Sequence, residues 1–520
     1  MQVKKSKLPS SKIFQDLDTD RTEMLERVRK CSKLTLSHIL PDSDHKESDI
    51  FEQKYTSFVS RGINSLASKL RFSVLPPSIS FFKLKPDKQI MDDLKDDNDK
   101  KNKIEQNLIY IENQVLDFIK TMNYGAKLVN VFKHLIVSGN CLIEFVSGDD
   151  KELFLKTYRL DKYVIKRTKS DILKHIIIKE SSYIYDLPDN YRQIADNNCD
   201  RSKNKNNNII KLFTNIKYNI NTKKYDKWIE FEDGTIIEES KKSYKKKIVP
   251  FLHLRWNSID DENYGRGMIE EYYGDVASYE AINQYIQEFA AAASKIIHFV
   301  DPNSDTSEIE LNNAVSGDFI LGKATDVTTL QSAQNADFNI VDKVRVDLKQ
   351  DLSQSFMMAD SIRRDAERVT AKEIQIMANE LESSLGGTYS MLSLDFQVPF
   401  VNILMDHLKI NLDEKYVKAS IITGLESVGR NIELQKLNTF LQVLSEVPPE
   451  ELQKINFKNV ILKYANYIGI DIGGLYKTYA ELSKEQQVRM AQEAVQNQMA
   501  LEQQNQQQKQ NQAQKQQGGK

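Results

Sequence analysis

Cysteine is scarce in this chain: Cys31, Cys141 and Cys199 are the only three among 520 residues. An odd number at long spacings builds neither a disulfide framework nor a Cys-rich zinc site. The three read as ordinary core or surface residues of a protein kept in a reducing compartment. A basic excess is missing as well. Lysine and arginine number 72 against 74 acidic residues, for a net charge of −2. Proteins that grip nucleic acid by neutralising phosphates carry a positive surplus, so this chain either avoids nucleic acid or touches it without gripping. Long apolar runs are also absent. The nearest approach, 289–300, is short and contains Ser294 and Lys295, well under the roughly 18 apolar residues of a membrane span. The opening MQVKKSKLPSSK is basic but leads into no apolar core, so no signal peptide is expected. A soluble protein with no membrane partner follows as the expectation.

Catalytic signatures are missing too. There is no phosphate-binding G-x-x-x-x-G-K-[ST] loop and no G-x-S-x-G elbow. Gly265-Arg-Gly267 begins like a dinucleotide fingerprint, but position 270 is Glu, so a turn before a helix is the better reading. The seven histidines show no paired metal spacing. Asp260, Asp261 and Glu262 form a short acidic run; a nuclease metal would use such a run, but it reads more simply as an exposed turn. No catalytic residue, cofactor or metal ligand is therefore assigned.

What is present is a segregated pattern. Helical spacing covers 16–36, 58–70, 104–122 and 125–137. From 141 to 256 short apolar runs separated by turn residues predict antiparallel strands. Two polar stretches, 196–208 and 239–247, read as loop tips with solvated lysines. After 264 an apolar stripe from Ile269 to Val300 predicts one helix of some 30 residues. A short run, 318–322, reads as a strand within a turn-rich region. A returning helix carries Val341, Val344, Leu348, Leu352 and Phe356 on one face. A charged break at 360–368 precedes a longer helical stripe that Gly386, Gly387 and Pro399 interrupt, with Pro399 expected to kink or break it. Helix is expected again over 430–482. The Gln-rich tail, 484–520, is expected to be frayed or disordered. Helix, small excursion and returning helix form a hairpin. Its stripe is buried either by neighbouring copies in a ring or by an intramolecular bundle.

Five strings carry a resemblance. They are RGINSLASKL at 61–70; VSGN at 137–140; YGRG at 264–267 with EEYYGD at 270–275; ERVTAKEI at 367–374 with ELE at 380–382 and LGG at 385–387; and TGLE at 423–426 with Gly429-Arg430. In this order and spacing, over residues 14 to 480, the chain resembles the portal proteins, or head-to-tail connectors, of short-tailed podoviruses of the Autographivirus kind. The resemblance implies an α+β, mainly α-helical fold with wing, stem, clip and crown, assembled as a ring of twelve copies. It implies a structural role and no enzyme activity: a ring at one capsid vertex through which double-stranded DNA passes without sequence specificity during packaging and ejection. Implied partners are the terminase packaging motor, tail adaptor and internal core proteins, and the major capsid and scaffolding proteins. The implied location is the portal vertex of the virion, after assembly in the host cytoplasm.

Carried onto this sequence, the resemblance puts a wing at 1–263, a first stem helix at 264–300, a clip at 301–335 and a second stem helix at 336–359. A tunnel loop follows at 360–369, a long kinked helix at 370–425, a crown at 426–482 and the tail at 483–520. Arg363, Arg364, Arg368 and Lys372 become candidates for the DNA channel. Arg363, Arg364 and Arg368 alternate with Asp360, Asp365 and Glu367, so contacts to phosphate and salt bridges between neighbouring subunits both stay open. Asp318, Phe319, Ile320 and Lys323 become docking candidates on the clip. Run 318–322 is read either as an edge strand joining a neighbour's sheet or as part of a hairpin within one subunit. Two other functions stay open from the residues themselves, a tail or adaptor protein without a channel and a metal-dependent DNA-processing enzyme.

Overall fold

The computed structural model describes residues 8–76, 80–86, 98–148, 152–198, 209–293, 297–304, 306–330, 335–358, 380–381, 383–410, 417–421, 437–442 and 460–461. The chain divides into two units, Met1–Val428 and Gly429–Lys520. In the second unit the described residues, 437–442 and 460–461, are helical.

The first unit is built around the helix Phe58–Val74. Val59, Ile63, Leu66 and Leu70 recur every three or four residues and are fully buried, which is the spacing of one helix face. Pro76 and Pro77 follow, and proline cannot continue the i→i−4 hydrogen-bond ladder. Helix Tyr124–Ser138 packs beside it with Leu128, Val131, Phe132 and Leu135 buried. These two helices and Asn98–Met122 contribute to the largest core, together with apolar residues from 381–404. The N-terminal helical stretch is two helices, Ser10–Thr19 and Thr22–Leu34. Between them Arg21 is buried, donating to Asp18 and to the Leu160 carbonyl.

The strand region forms two antiparallel sheets. Strands β2 (Asn140–Ser147), β3 (Leu153–Tyr158) and β9 (Phe251–Arg255) make a three-stranded sheet in the order β3-β2-β9. Strands β4 (Tyr163–Arg167), β5 (Leu173–Tyr183), β6 (Ile209–Asn219), β7 (Lys224–Phe231) and β8 (Ile236–Lys245) form a five-stranded meander in chain order. Alternation assigns the faces. Tyr163, Ile165, Ile176 and Ile178 point into a core shared with Leu142 and Phe251. Val164 and Ile177 point the other way, onto Phe14 of the first helix.

Three expectations are corrected here. The lysine-rich stretch 239–247 is not a loop tip: β8 runs to Lys245 and forms an edge of the meander, where lysines discourage pairing with foreign strands. Stretch 370–425 is not helical to its end. Its described helix stops at His407, and Val417–Ile421 is a strand (β12) paired antiparallel with Phe82–Pro86 (β1). Nor does Pro399 produce a simple break. Residues Ser393–Gln397 form a π turn, and the α-helix Val398–His407 starts with Pro399 in its first turn. Proline has no N–H to donate, so the widened turn sits where the regular ladder would lose a bond.

Candidate assembly stalk and docking tip

Two helices, Tyr273–Ala293 and Asn335–Ser355, form an antiparallel stalk. Its root is buried in the large core through Val276, Tyr279, Leu352 and Phe356. The Gly62 position admits Phe356 so closely that a Cβ there would lie 2.8 Å from the ring. Lys69, itself buried, donates to the Met357 carbonyl at 2.6 Å and pairs with Glu380 at 3.5 Å. On the opposite side Tyr55 fastens the preceding loop to the stalk. Its N–H donates to Glu280 at 2.7 Å, and its carbonyl accepts from Gln287 at 2.7 Å. Burial beside this strap pulls the Lys54 amine down to about 8, against the opposing pull of Glu280.

Further out the stalk carries exposed apolar side chains. Tyr285, Ile340, Val344 and Val346 are 63%, 66%, 44% and 46% exposed. In the stripe read from Ile269 onward, Val276 and Tyr279 are buried at the root, Ile282, Ile286 and Phe289 are half-buried, and Tyr285 is exposed. The stripe is also shorter than expected. The helix ends at Ala293, and Ile297–Val300 is a strand (β10) paired with Val327–Leu330 (β11). Ile297, Phe299 and Val300 suit a pleated surface and lie opposite Leu330, Thr328 and Val327.

The tip lies between β10 and β11. The run 318–322 is not a strand, contrary to expectation. Asp318 accepts from the Val315 N–H at 2.7 Å and donates its own N–H back to the Val315 carbonyl, closing a turn around Gly317 at φ +109°. Asp and Gly turn chemistry prevails over the strand preference of Phe319, Ile320 and Leu321. Phe319 is fully exposed, and Leu321, Ile309 and Val315 are more than 70% exposed, while Ile320 is half-buried. The Lys323 N–H donates to Asp326 at 3.1 Å, and that carboxylate also accepts from the Thr306 hydroxyl at 2.9 Å. The expected docking residues thus lie in one short irregular segment, with Asp318 closing the turn 315–318 and Lys323 capping the turn Ala324–Asp326. Sequence reasoning missed Ile309, Val315 and Leu321 as neighbours; the signal was their apolar character among turn residues.

Arg363, Arg364, Arg368 and Lys372 lie outside the described residues, as does the tail at 483–520. The acidic run 260–262 is a turn in which Asp261 has φ +67° and Glu262 pairs with Arg266 at 2.8 Å. No group of three or more metal-ligating side chains occurs among the described residues. Gly265 and Gly267 have a packing role. A Cβ on Gly267 would lie 2.7 Å from the Val137 carbonyl, and one on Gly139 would lie 2.4 Å from the backbone of Arg266. The strings VSGN and YGRG therefore meet backbone to backbone.

Residues 10–475 match the family model described as bacteriophage head to tail connecting protein. The portal protein of Escherichia phage T7 is 30% identical over 492 residues, covering 93% of this chain and 90% of that protein. The portal protein of Enterobacteria phage T3 is 30% identical over 489 residues, with the same coverage of 93% and 90%. That of Enterobacteria phage SP6 is 27% identical over 505 residues, 95% of each. With its α+β, mainly helical fold, the chain belongs to the bacteriophage head-to-tail connecting proteins.

Proposed function

We propose that the chain is a structural portal subunit that assembles into a ring of twelve copies at one capsid vertex. The observation that carries this reading is the set of exposed apolar side chains on the outer stalk. Tyr285, Ile340, Val344 and Val346 are exposed on helices whose root is fully buried. Apolar side chains left exposed on helices are covered when a neighbouring copy packs against them around a closed rotation axis.

In this reading residues 1–263 form the wing, the two stalk helices the stem, and the tip the clip. Residues 370–425 lead back from the stem to the crown at 426–482. Double-stranded DNA passes through the ring during packaging and ejection without sequence specificity. A net charge of −2 suits passage, because phosphate contacts repeated around a ring would multiply into a brake. Arg363, Arg364, Arg368 and Lys372 supply weak contacts to the passing backbone. Asp318, Phe319, Ile320 and Lys323 offer the docking turn to the terminase motor and afterwards to the tail adaptor. Internal core, capsid and scaffolding proteins surround the ring in the virion, after assembly in the host cytoplasm. The chain works by shape and assembly and performs no bond chemistry.

Negative-stain microscopy with mass measurement tests the reading. The expected particle is a ring with a central hole and a mass of about 0.7 MDa, for twelve copies of a 60.0 kDa chain. A compact monomer under all conditions overturns it.

A further inference from the structure

A cleft in the first unit opens between the end of β8, the π turn with the helix that follows it, and β12. Its volume is about 800 Å³, within the range of sites that hold ligands of nucleotide size. Six basic side chains line it, Arg167, Lys245, Lys246, Lys247, Arg255 and Lys418, against three carboxylates, Asp171, Asp395 and Asp406. In a chain of net charge −2 this wall is a local concentration of positive charge.

Two arginines line the cleft as deeply buried cations. The Arg167 and Arg255 side chains are 11% and 7% exposed, and both use the same carboxylate, Asp171. Arg167 also donates through Nη2 to Nδ1 of His253 at 3.0 Å. A guanidinium only donates, so this ring nitrogen accepts and the imidazole carries its proton on Nε2. Arg167 Nε and His253 Nε2 are then buried donors with no acceptor in the protein. A buried donor is expensive to leave unmatched, and an oxyanion supplies several acceptor lone pairs at once.

The rim repeats the signal. Lys224 lies directly opposite Lys245 across β7 and β8, and both are exposed. Like charges facing across a strand pair repel, and Lys246 adds a third beside them. Lysines on an edge strand also deter foreign pairing. That accounts for Lys242 and Lys245 but not for the unmatched donors of Arg167 and His253. The π turn and the helix beside it add apolar surface among their carboxylates, with Met391 and Leu394 46% and 59% exposed next to Asp395 and Asp406.

We propose that this cleft binds a phosphate-bearing anion of nucleotide size. Lys245, Lys246 and Arg167 hold the phosphoryl oxygens, and Met391 and Leu394 cover the remainder. The phosphoryl group comes either from a free nucleotide or from the backbone of DNA, and the cleft's volume favours the former. The site lies within one chain, so the proposal stands apart from ring assembly.

Isothermal titration calorimetry on the full chain tests it, with ATP, inorganic phosphate and a DNA duplex as separate probes at one salt concentration. Saturable binding of one ATP per chain is expected, with inorganic phosphate weaker. The exposed pair Lys245→Gln and Lys246→Gln leaves folding intact and weakens ATP binding about tenfold, the worth of one charge-assisted hydrogen bond. Arg167→Gln weakens it further; should that variant fold poorly, the lysine pair decides alone. Absence of saturable ATP binding overturns the proposal, as does binding indifferent to both lysines. Duplex binding without either small anion overturns it too, because the phosphate contact then lies outside the cleft.

Discussion

The Asn140 side chain and the Gly265 backbone hold each other in both directions. Asn140 Oδ1 accepts from the Gly265 N–H at 2.7 Å, and its Nδ2 donates to the Gly265 carbonyl at 2.8 Å. The pair is buried and bridges 125 residues of sequence. It ties the start of β2 to the segment that leads into the stalk.

Asn140→Ala removes both bonds and leaves a buried N–H and a buried C=O unmatched. A loss of about 2–4 kcal/mol is expected from two such groups. Chemical denaturation followed by circular dichroism measures it, and a loss below about 0.5 kcal/mol, the range of ordinary surface changes, would show the pair to be dispensable. Gly139→Ala acts at the same junction by a different route, since φ is +72° there and the added Cβ meets the backbone of Arg266.

Phe356→Ala empties the root of the stalk. Phe356 is fully buried against Gly62, so destabilisation of about 3–5 kcal/mol is expected. The diagnostic readout is hydrogen exchange in 335–355, which accelerates if the root holds the stalk and is unchanged if it does not.

Phe319→Ala separates docking from folding. The ring is fully exposed within one chain, so stability should change by less than about 0.5 kcal/mol. Binding of the motor or tail partner to the assembled ring should weaken, which surface plasmon resonance with purified partner detects. Unaltered affinity would move the docking surface away from this turn.

Stability should fall on acidification below neutrality. Burial pulls His134 and His175 down to about 4 and His253 well below its ordinary 6.5, the last helped by Arg167 and Arg255. Each folded value is depressed, so unfolding takes up a proton from solvent wherever pH lies between the folded and unfolded values. The neutral forms stabilise the fold fully above about 6.5, and that contribution is lost as pH drops toward 4. Melting temperatures at pH 7 and pH 5 measure the slope. His134→Gln should reduce the difference between them, and an unchanged difference would remove His134 from the account.

Replacing Arg363, Arg364 and Arg368 together with Ala tests the proposed channel segment. An intact ring with altered DNA packaging or retention supports contacts to the passing backbone. A ring that no longer assembles assigns the three arginines to subunit interfaces instead.

Much of residues 1–263 was legible in the sequence because helical spacing and short apolar runs bounded by turn residues are local signals. The short apolar runs at 163–165 and 176–178 mark strands, while their division between two faces appears only in the packing. Other elements depend on partners far away. Ile297–Val300 continues the helical spacing of the residues before it, and four residues cannot separate a period of 3.6 from one of 2. Only its pairing with Val327–Leu330 decides. The run 318–322 has the composition of a strand, but the turn closed by Asp318 wins locally. Strands β1 and β12 lie some 335 residues apart in sequence, beyond the reach of any local pattern. The residues proposed for docking, 318–320 and 323, lie in a turn-built segment rather than the expected strand. The cleft beside β8 escaped notice because its arginines come from separate strands.

The contact between Gly62 and Phe356 has a mechanical side. Packed interiors compress little, and at 2.8 Å from a would-be Cβ this ring has no slack toward the helix Phe58–Val74. A force applied at the tip travels down helices anchored at such a point and cannot be absorbed by sliding. The root of the stalk is thus seated without play against the helix Phe58–Val74.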